Sequence, residues 1–117
     1  NRLEAELRQW EQLPNVYVDI SAIQDIEGER AFPFPRCQKD LRLAKEILGA
    51  GRLLWGSDAP WSATFNSYAN LMDWLPASGI FSEAEVADVL YNNALKVYFK
   101  ESAVKAMQDS NDPALRQ

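Results

Sequence analysis

Two short strand-like runs flanking a helix constrain this chain more than any other feature. Val16-Tyr17-Val18-Asp19-Ile20-Ser21 is rich in β-branched and aromatic residues and alternates cleanly. Val16, Val18 and Ile20 fall on one face; Tyr17, Asp19 and Ser21 fall on the other. Cys37 to Leu48 carries Leu41, Ala44 and Leu48 at helical spacing, with Leu43 and Ile47 flanking them. Gly49 and Gly51 then offer a left-handed C-terminal cap. Arg52 opens a second strand, Leu53-Leu54-Trp55-Gly56, whose unbroken apolar character marks burial on both faces. Strand, loop, helix, short turn and strand form a βαβ unit, hence two parallel strands with a right-handed crossover. The expected class is α/β.

The second strand stops at Ser57-Asp58, and Pro60 prevents the ladder from continuing. A carboxylate is thereby placed at the C-terminal end of a buried strand, where parallel α/β folds meet ligands and metals. The plainer alternative is a capped turn, since Ser-Asp-x-Pro is ordinary turn chemistry. The polar face of the first strand is similarly open to two readings, the mouth of a barrel or the solvated side of an antiparallel strand.

Elsewhere the pattern is mostly helical. Leu3, Leu7 and Trp10 predict a helix over Arg2–Gln12, ended by Pro14-Asn15. Ala22 to Arg36, with Gly28 and Phe32-Pro33-Phe34-Pro35, reads as a loop long enough to be functional. Arg30 and Arg36 within it either face a substrate anion or lie solvated. Ser62–Asn66 is another loop. Tyr68, Leu71, Met72 and Leu75 mark a helix over Ser67–Leu75, broken by Pro76 and Gly79. Ser82-Glu83-Ala84-Glu85 has the capping-box form. Asn92-Asn93 permits a new cap before a last amphipathic turn to Phe99, and residues 100–117 read as a partly helical or frayed tail.

Composition narrows the function classes. A net charge of −5 (12 basic, 17 acidic) argues against nucleic acid or an anionic membrane as partner. No apolar run approaches a membrane span, and no signal peptide opens the sequence. The single cysteine, Cys37, fits a reducing, cytoplasmic setting. Histidine is absent, which excludes a His-based triad or a self-contained His metal site within these residues. The 117 residues begin at Asn1, without Met, directly in a helical pattern, so a piece of a longer chain is expected.

Three elements in this order, Asn15–Ser21, Arg52–Trp61 and Asn93-Ala94-Leu95-Lys96-Val97-Tyr98, resemble the C-terminal third of the metal-dependent amidohydrolases. The branch is similar to aminocarboxymuconate-semialdehyde decarboxylase, resorcylate-type decarboxylases and lactone hydrolases. The resemblance spans about Leu3 to Phe99 and implies the end of a (β/α)8 TIM barrel over residues 1–99. Val16–Ser21 would be its seventh strand and Leu53–Asp58 its eighth. It implies that Asp58 is a ligand of a divalent metal, zinc in the first instance, and a catalytic base, and that Asn93 is structural. The substrate would be a small carboxylated or cyclic molecule, turned over by hydrolysis or non-oxidative decarboxylation.

The chemistry agrees with that implication. A carboxylate serves beside imidazoles at about 2 Å from such a metal and accepts a proton from the bound water. Normal pleating would set Leu54, Gly56 and Asp58 on the inward face, with Gly56 leaving room beneath the metal. Asp19 and Trp61 are the candidate substrate contacts, with a hydrogen-bonded structural role and loop packing as their respective alternatives. The family's histidine ligands have no counterpart here. Two strands cannot close a barrel, and exposed edges on both of them would favour homo-oligomeric association. The contrasting reading is a non-catalytic α/β interaction module in which Ser57-Asp58 is a structural turn.

Overall fold

The computed structural model describes residues 1–99 and residue 109. Of the expected tail only Asp109 is described, in helical conformation; the rest of that expectation lies outside the described residues. Two strands, β1 (Val18–Asp19) and β2 (Leu53–Leu54), pair in parallel, with Val18 opposite Leu53 and Asp19 opposite Leu54. Mixed helices around a parallel two-stranded sheet make this an α/β arrangement, as the βαβ pattern requires. The ladder is shorter than the sequence suggests. Beyond the pair, only the Ile20 N–H to Leu54 carbonyl bond (2.8 Å) extends it, because neither strand has a second neighbouring strand among the described residues to hold its ends in register.

Helix α1 (Arg2–Glu11) starts at Asn1, whose side chain accepts from the Leu3 N–H, and buries Leu7 against the core. It packs on α3 (Pro35–Leu48), the crossover helix. The segment between β1 and α3 is not wholly a loop, since Ile23–Ile26 form a helical turn, α2. Helix α3 begins at Pro35, two residues before the sequence pattern suggests. Proline suits the first helical position because its missing N–H would be unpaired there anyway. Phe34 cannot cap α3, so the buried Glu29 reaches across and accepts from the N–H groups of Arg36 (3.0 Å) and Cys37 (3.1 Å). Burial pushes the Glu29 carboxyl up, but these two amide bonds and the Arg36 charge outweigh it, and the net displacement is downward. The Cys37 thiol, buried beside that carboxylate, is pushed far up and stays neutral.

At the other end of α3, Gly49 has φ +83° but ψ 156°, so it turns the chain through an extended conformation rather than the left-handed cap expected. Ala50–Arg52 form a tight turn that delivers Arg52 to the head of β2. Its guanidinium donates to the carbonyls of Trp10 (2.6 Å), Leu13 (2.7 Å), Val16 (2.8 Å) and Glu11 (3.4 Å). One side chain thus gathers carbonyls from the end of α1 and the turn after it, those of Trp10 and Leu13 also accepting from the Leu13 and Val16 N–H groups, and binds them to the strand.

After β2 come α4 (Tyr68–Ala77), α5 (Glu83–Ala87) and α6 (Asn93–Tyr98). Helix α4 does not stop before Pro76, which sits in its final turn. There the proline removes a single bond, to the Met72 carbonyl, and its fixed φ is already helical. The buried stripe of α4 is Leu71, Trp74 and Leu75, whereas Tyr68 and Met72 face solvent. The capping box at Ser82 and Glu85 forms as expected. Asn92-Asn93 does not cap a new helix. The chain runs from α5 into α6 through a wide helical turn, Asp88–Asn92, and Asn92 bonds Asp88 instead.

That wide turn holds β2. Asn93 is buried, and its amide donates to the carbonyls of Ala50 (2.7 Å) and Leu53 (2.9 Å). The Trp55 N–H donates to the Val89 carbonyl (3.0 Å). Leu54 faces its backbone groups toward β1, so those of Leu53 and Trp55 face the opposite edge by alternation. The edge of β2 is therefore occupied, which corrects the expectation that both strands would present open edges.

The core lies on one face of the sheet. Ile20 and Leu53 are buried with Leu7, Phe34, Leu41, Leu75 and Val89, and Val18 and Trp55 pack against them. Phe34 meets Trp74 edge-to-face at 5.9 Å. Each fully buried leucine of this cluster contributes about 1.5–3 kcal/mol of transfer free energy.

Candidate functional site

The face of the sheet turned away from this core carries a different set of residues. Asp19 and Ser21 lie on it beside Gly56: a Cβ built on Gly56 would stand 2.1 Å from Ser21 Oγ and 3.3 Å from Ser21 Cβ. The absent side chain is therefore required by the close approach of the post-β1 turn, and Ser21 fills the space that the sequence reading left open beneath a metal. Asp19 is exposed and accepts from both the Ser21 N–H (2.8 Å) and the Ser21 hydroxyl (2.5 Å). This Asx turn satisfies one carboxylate oxygen locally.

Asp58 stands four residues past Leu54, at the C-terminal end of β2, and is exposed. Its backbone is left-handed (φ +52°), a conformation that aspartate tolerates better than most residues. The strand ends here in a set of local bonds. Ser57 Oγ accepts from the Ala59 N–H (3.1 Å), and the Asp58 carbonyl accepts from the Ser62 N–H (3.0 Å). The Asp58 carboxylate itself takes no hydrogen bond or ion pair among the described residues. Trp61 is 61% exposed and packs edge-to-face on Phe65 at 5.4 Å, within its own loop.

The loops following β1 and β2 are tied to one another. Ser62, fully buried in the turn Ser62–Thr64, donates its hydroxyl to Asp25 Oδ2 of α2. Asp25 Oδ1 accepts from Arg30 (3.2 Å), and the Arg30 guanidinium lies 3.7 Å from the centre of the Phe65 ring. Arg30 is thus anchored at the strand ends. Arg36 instead pairs with Glu29 and donates to the Glu27 carbonyl, at the start of α3. Ser62, Asp25 and Phe65 escape a sequence reading because their partners lie far away along the chain.

A cleft of about 410 Å³ runs between α1, α3 and β1, lined by Leu3, Leu7, Trp10, Val18, Asp19 and Ile20 among others. Asp19 reaches it; Asp58 and Trp61 do not line it. Its walls are largely apolar, so it is a place for packing rather than for proton transfer.

No three carboxylate or thiol side chains converge among the described residues, and histidine is absent from the sequence. Asp58 offers one hard oxygen donor, which does not hold a catalytic metal by itself. No helix among the described residues is long and apolar enough to cross a membrane.

Comparison with known proteins complements this geometry. The sequence model described as amidohydrolase matches residues 1–100. No curated protein and no solved structure gives a significant match. That match takes in both strands, the Gly56-Ser57-Asp58 element and the helix opened by Asn93, and on this extent the chain belongs to the amidohydrolase family.

Proposed function

We propose that residues 1–99 form the last two β/α units of a (β/α)8 barrel, whose C-terminal mouth hydrolyses or non-oxidatively decarboxylates a small carboxylated or cyclic substrate. Asp58 is the residue of this segment that ligates a divalent metal, zinc by preference, and accepts a proton. The observation carrying this reading is the position of Asp58: an exposed, unengaged carboxylate at the C-terminal end of a parallel strand whose opposite face is covered by helices. The apolar cleft along β1 supports the barrel, since a neighbouring strand would seat there.

The remaining ligands come from residues outside this sequence. When bound, the metal supplies a water of pKa about 7. Asp58 then holds or moves a proton at its carboxylate, and its left-handed backbone fixes where that carboxylate sits. Asp19 and Trp61 border the same end of the sheet as substrate contacts. Asp19 presents the carboxylate oxygen that Ser21 leaves free.

In the full-length protein, Asp58→Asn is expected to lower turnover by about a hundredfold or more and to reduce bound metal, measured by elemental analysis after dialysis. Unchanged turnover and metal stoichiometry would overturn the reading. One observation favours the second reading, a non-catalytic interaction module: the Ser57 and Asp58 bonds to Ala59 and Ser62 are those of an ordinary turn. That reading requires Asp58→Asn to leave metal content untouched.

A further inference from the structure

The segment joining β1 to α3 places one positive charge at the sheet end from which Asp58 emerges, and its fixation is specific. Arg30 donates one N–H to Asp25 Oδ1 at 3.2 Å, and its guanidinium lies over the Phe65 ring at 3.7 Å. Asp25, whose side chain is only 10% exposed, is held in turn by the Ser62 hydroxyl. The Ser62 N–H binds the Asp58 carbonyl at 3.0 Å. A continuous set of bonds therefore links the Arg30 charge to the turn carrying Asp58.

Stacking and tethering leave part of this guanidinium unspent. A guanidinium over an aromatic face keeps its N–H groups in the plane of the fork, directed sideways. One of them goes to Asp25, and the Nε and Nη2 groups have no acceptor among the described residues. The side chain is 51% exposed, so these donors are accessible. Fixing the fork in advance lowers the entropy lost on binding a planar anion, and a carboxylate accepts two parallel N–H bonds from such a fork.

The surroundings make this charge matter. Asp19 and Asp58 both stand at this end of the sheet and repel an anion. Arg36, in the first turn of α3, is engaged with Glu29 and with the Glu27 carbonyl. Asp25 is compensated by Arg30 and Ser62, so it subtracts little from the attraction.

We propose that Arg30, stacked on Phe65 and tethered through Asp25 and Ser62 to the Asp58 turn, is the specificity residue that receives the carboxylate of the substrate. This rests on the reading of that end of the sheet as the active site, and it narrows the substrate to one bearing a carboxylate within reach of Arg30.

The test uses the full-length protein, freed of metal with EDTA so that no metal captures the probe. Benzoate is titrated, with neutral benzamide as control, and binding is followed by saturation-transfer NMR. Benzoate is expected to bind and benzamide not to. Arg30→Gln should weaken benzoate by about tenfold or more, Arg30→Lys by less, and Phe65→Leu by a few-fold through loss of the stacking surface. Thermal melts of each variant establish that it is folded. Equal benzoate affinity in wild type and Arg30→Gln, equal binding of benzamide, or no benzoate binding by the wild type would overturn the proposal. Asp58→Asn separates it from the parent reading: it should abolish metal retention, while metal-free benzoate binding stays dependent on Arg30 and tightens with loss of the Asp58 charge. Retained metal with intact Arg30-dependent binding would sink the Asp58 reading alone.

Discussion

Replacing Arg52 by Met keeps most of the apolar stem and removes the fork that collects four carbonyl groups. The magnitude follows from which of those groups water can replace. The carbonyls of Glu11 and Leu13 are exposed partners and rehydrate at little cost. Those of Val16, bonded at 2.8 Å, and Trp10, at 2.6 Å, are partly buried, and each charge-assisted bond is worth about 1–2 kcal/mol there. The cation also faces the negative end of α1, worth a further few tenths to about 1 kcal/mol. Together these predict that Arg52→Met lowers the unfolding free energy by about 2–4 kcal/mol. Arg52→Lys should recover roughly half of it, because a single ammonium cannot reach carbonyls spread over Trp10 to Val16. Urea unfolding followed by tryptophan fluorescence reads both values, with an unchanged m-value showing that the denatured state is not responsible. A loss below about 0.5 kcal/mol, the range of an ordinary surface substitution, or a lysine variant as stable as the parent, would refute the clamp.

Gly56→Ala should cost about 1–2 kcal/mol, because the new methyl forces the Ser21 hydroxyl, 2.1 Å away, off Asp19. Ser21→Ala removes the nearer obstacle, so the double variant should lose about 1 kcal/mol less than the sum of the two singles; strict additivity in thermal unfolding would count against the contact. Glu29→Gln should destabilise by about 1–2 kcal/mol at neutral pH by weakening the remote cap of α3. Because the folded Glu29 carboxyl lies below its ordinary 4.5, its contribution is complete above that value and is lost as pH falls through the folded one; melts across this window should converge for parent and variant, and a constant gap would contradict the assignment.

The local signals were legible where they arise from neighbouring residues. Alternation in Val16–Ser21 and the apolar run at Leu53 predicted two strands, and their parallel pairing followed from the helix between them. Ser82 and Glu85 announced their capping box because both partners lie in one turn. What stayed hidden depends on distant partners. Asn93 bonds carbonyls 43 and 40 residues away, so its position next to Asn92 suggested a cap that does not form. Pro35 and Pro76 lie inside their helices, against the usual reading of proline as a boundary, because proline breaks a helix only where a mid-helix N–H is needed. On α4 the apolar spacing of Tyr68, Leu71, Met72 and Leu75 marks a helix but does not say which stripe meets the core, and Trp74 rather than Met72 is buried. The same holds for the site. Asp58 was visible as the residue ending a strand, whereas the tether from Ser62 through Asp25 to Arg30 joins two loops whose proximity only the fold creates.

The hold that Val89 and Asn93 keep on the far side of β2 has a consequence for how this ribbon grows. A strand arriving there finds the Leu53 carbonyl and the Trp55 N–H already bound, so docking would first have to unzip the wide helical turn. Closing a barrel on that side therefore requires the turn to release β2, whereas a strand beside Tyr17 and Asp19, under the rim set by Trp10, docks where the cleft stands ready. Two copies colliding at random gain nothing by meeting through β2, and the helix that follows the sheet acts as its selvedge.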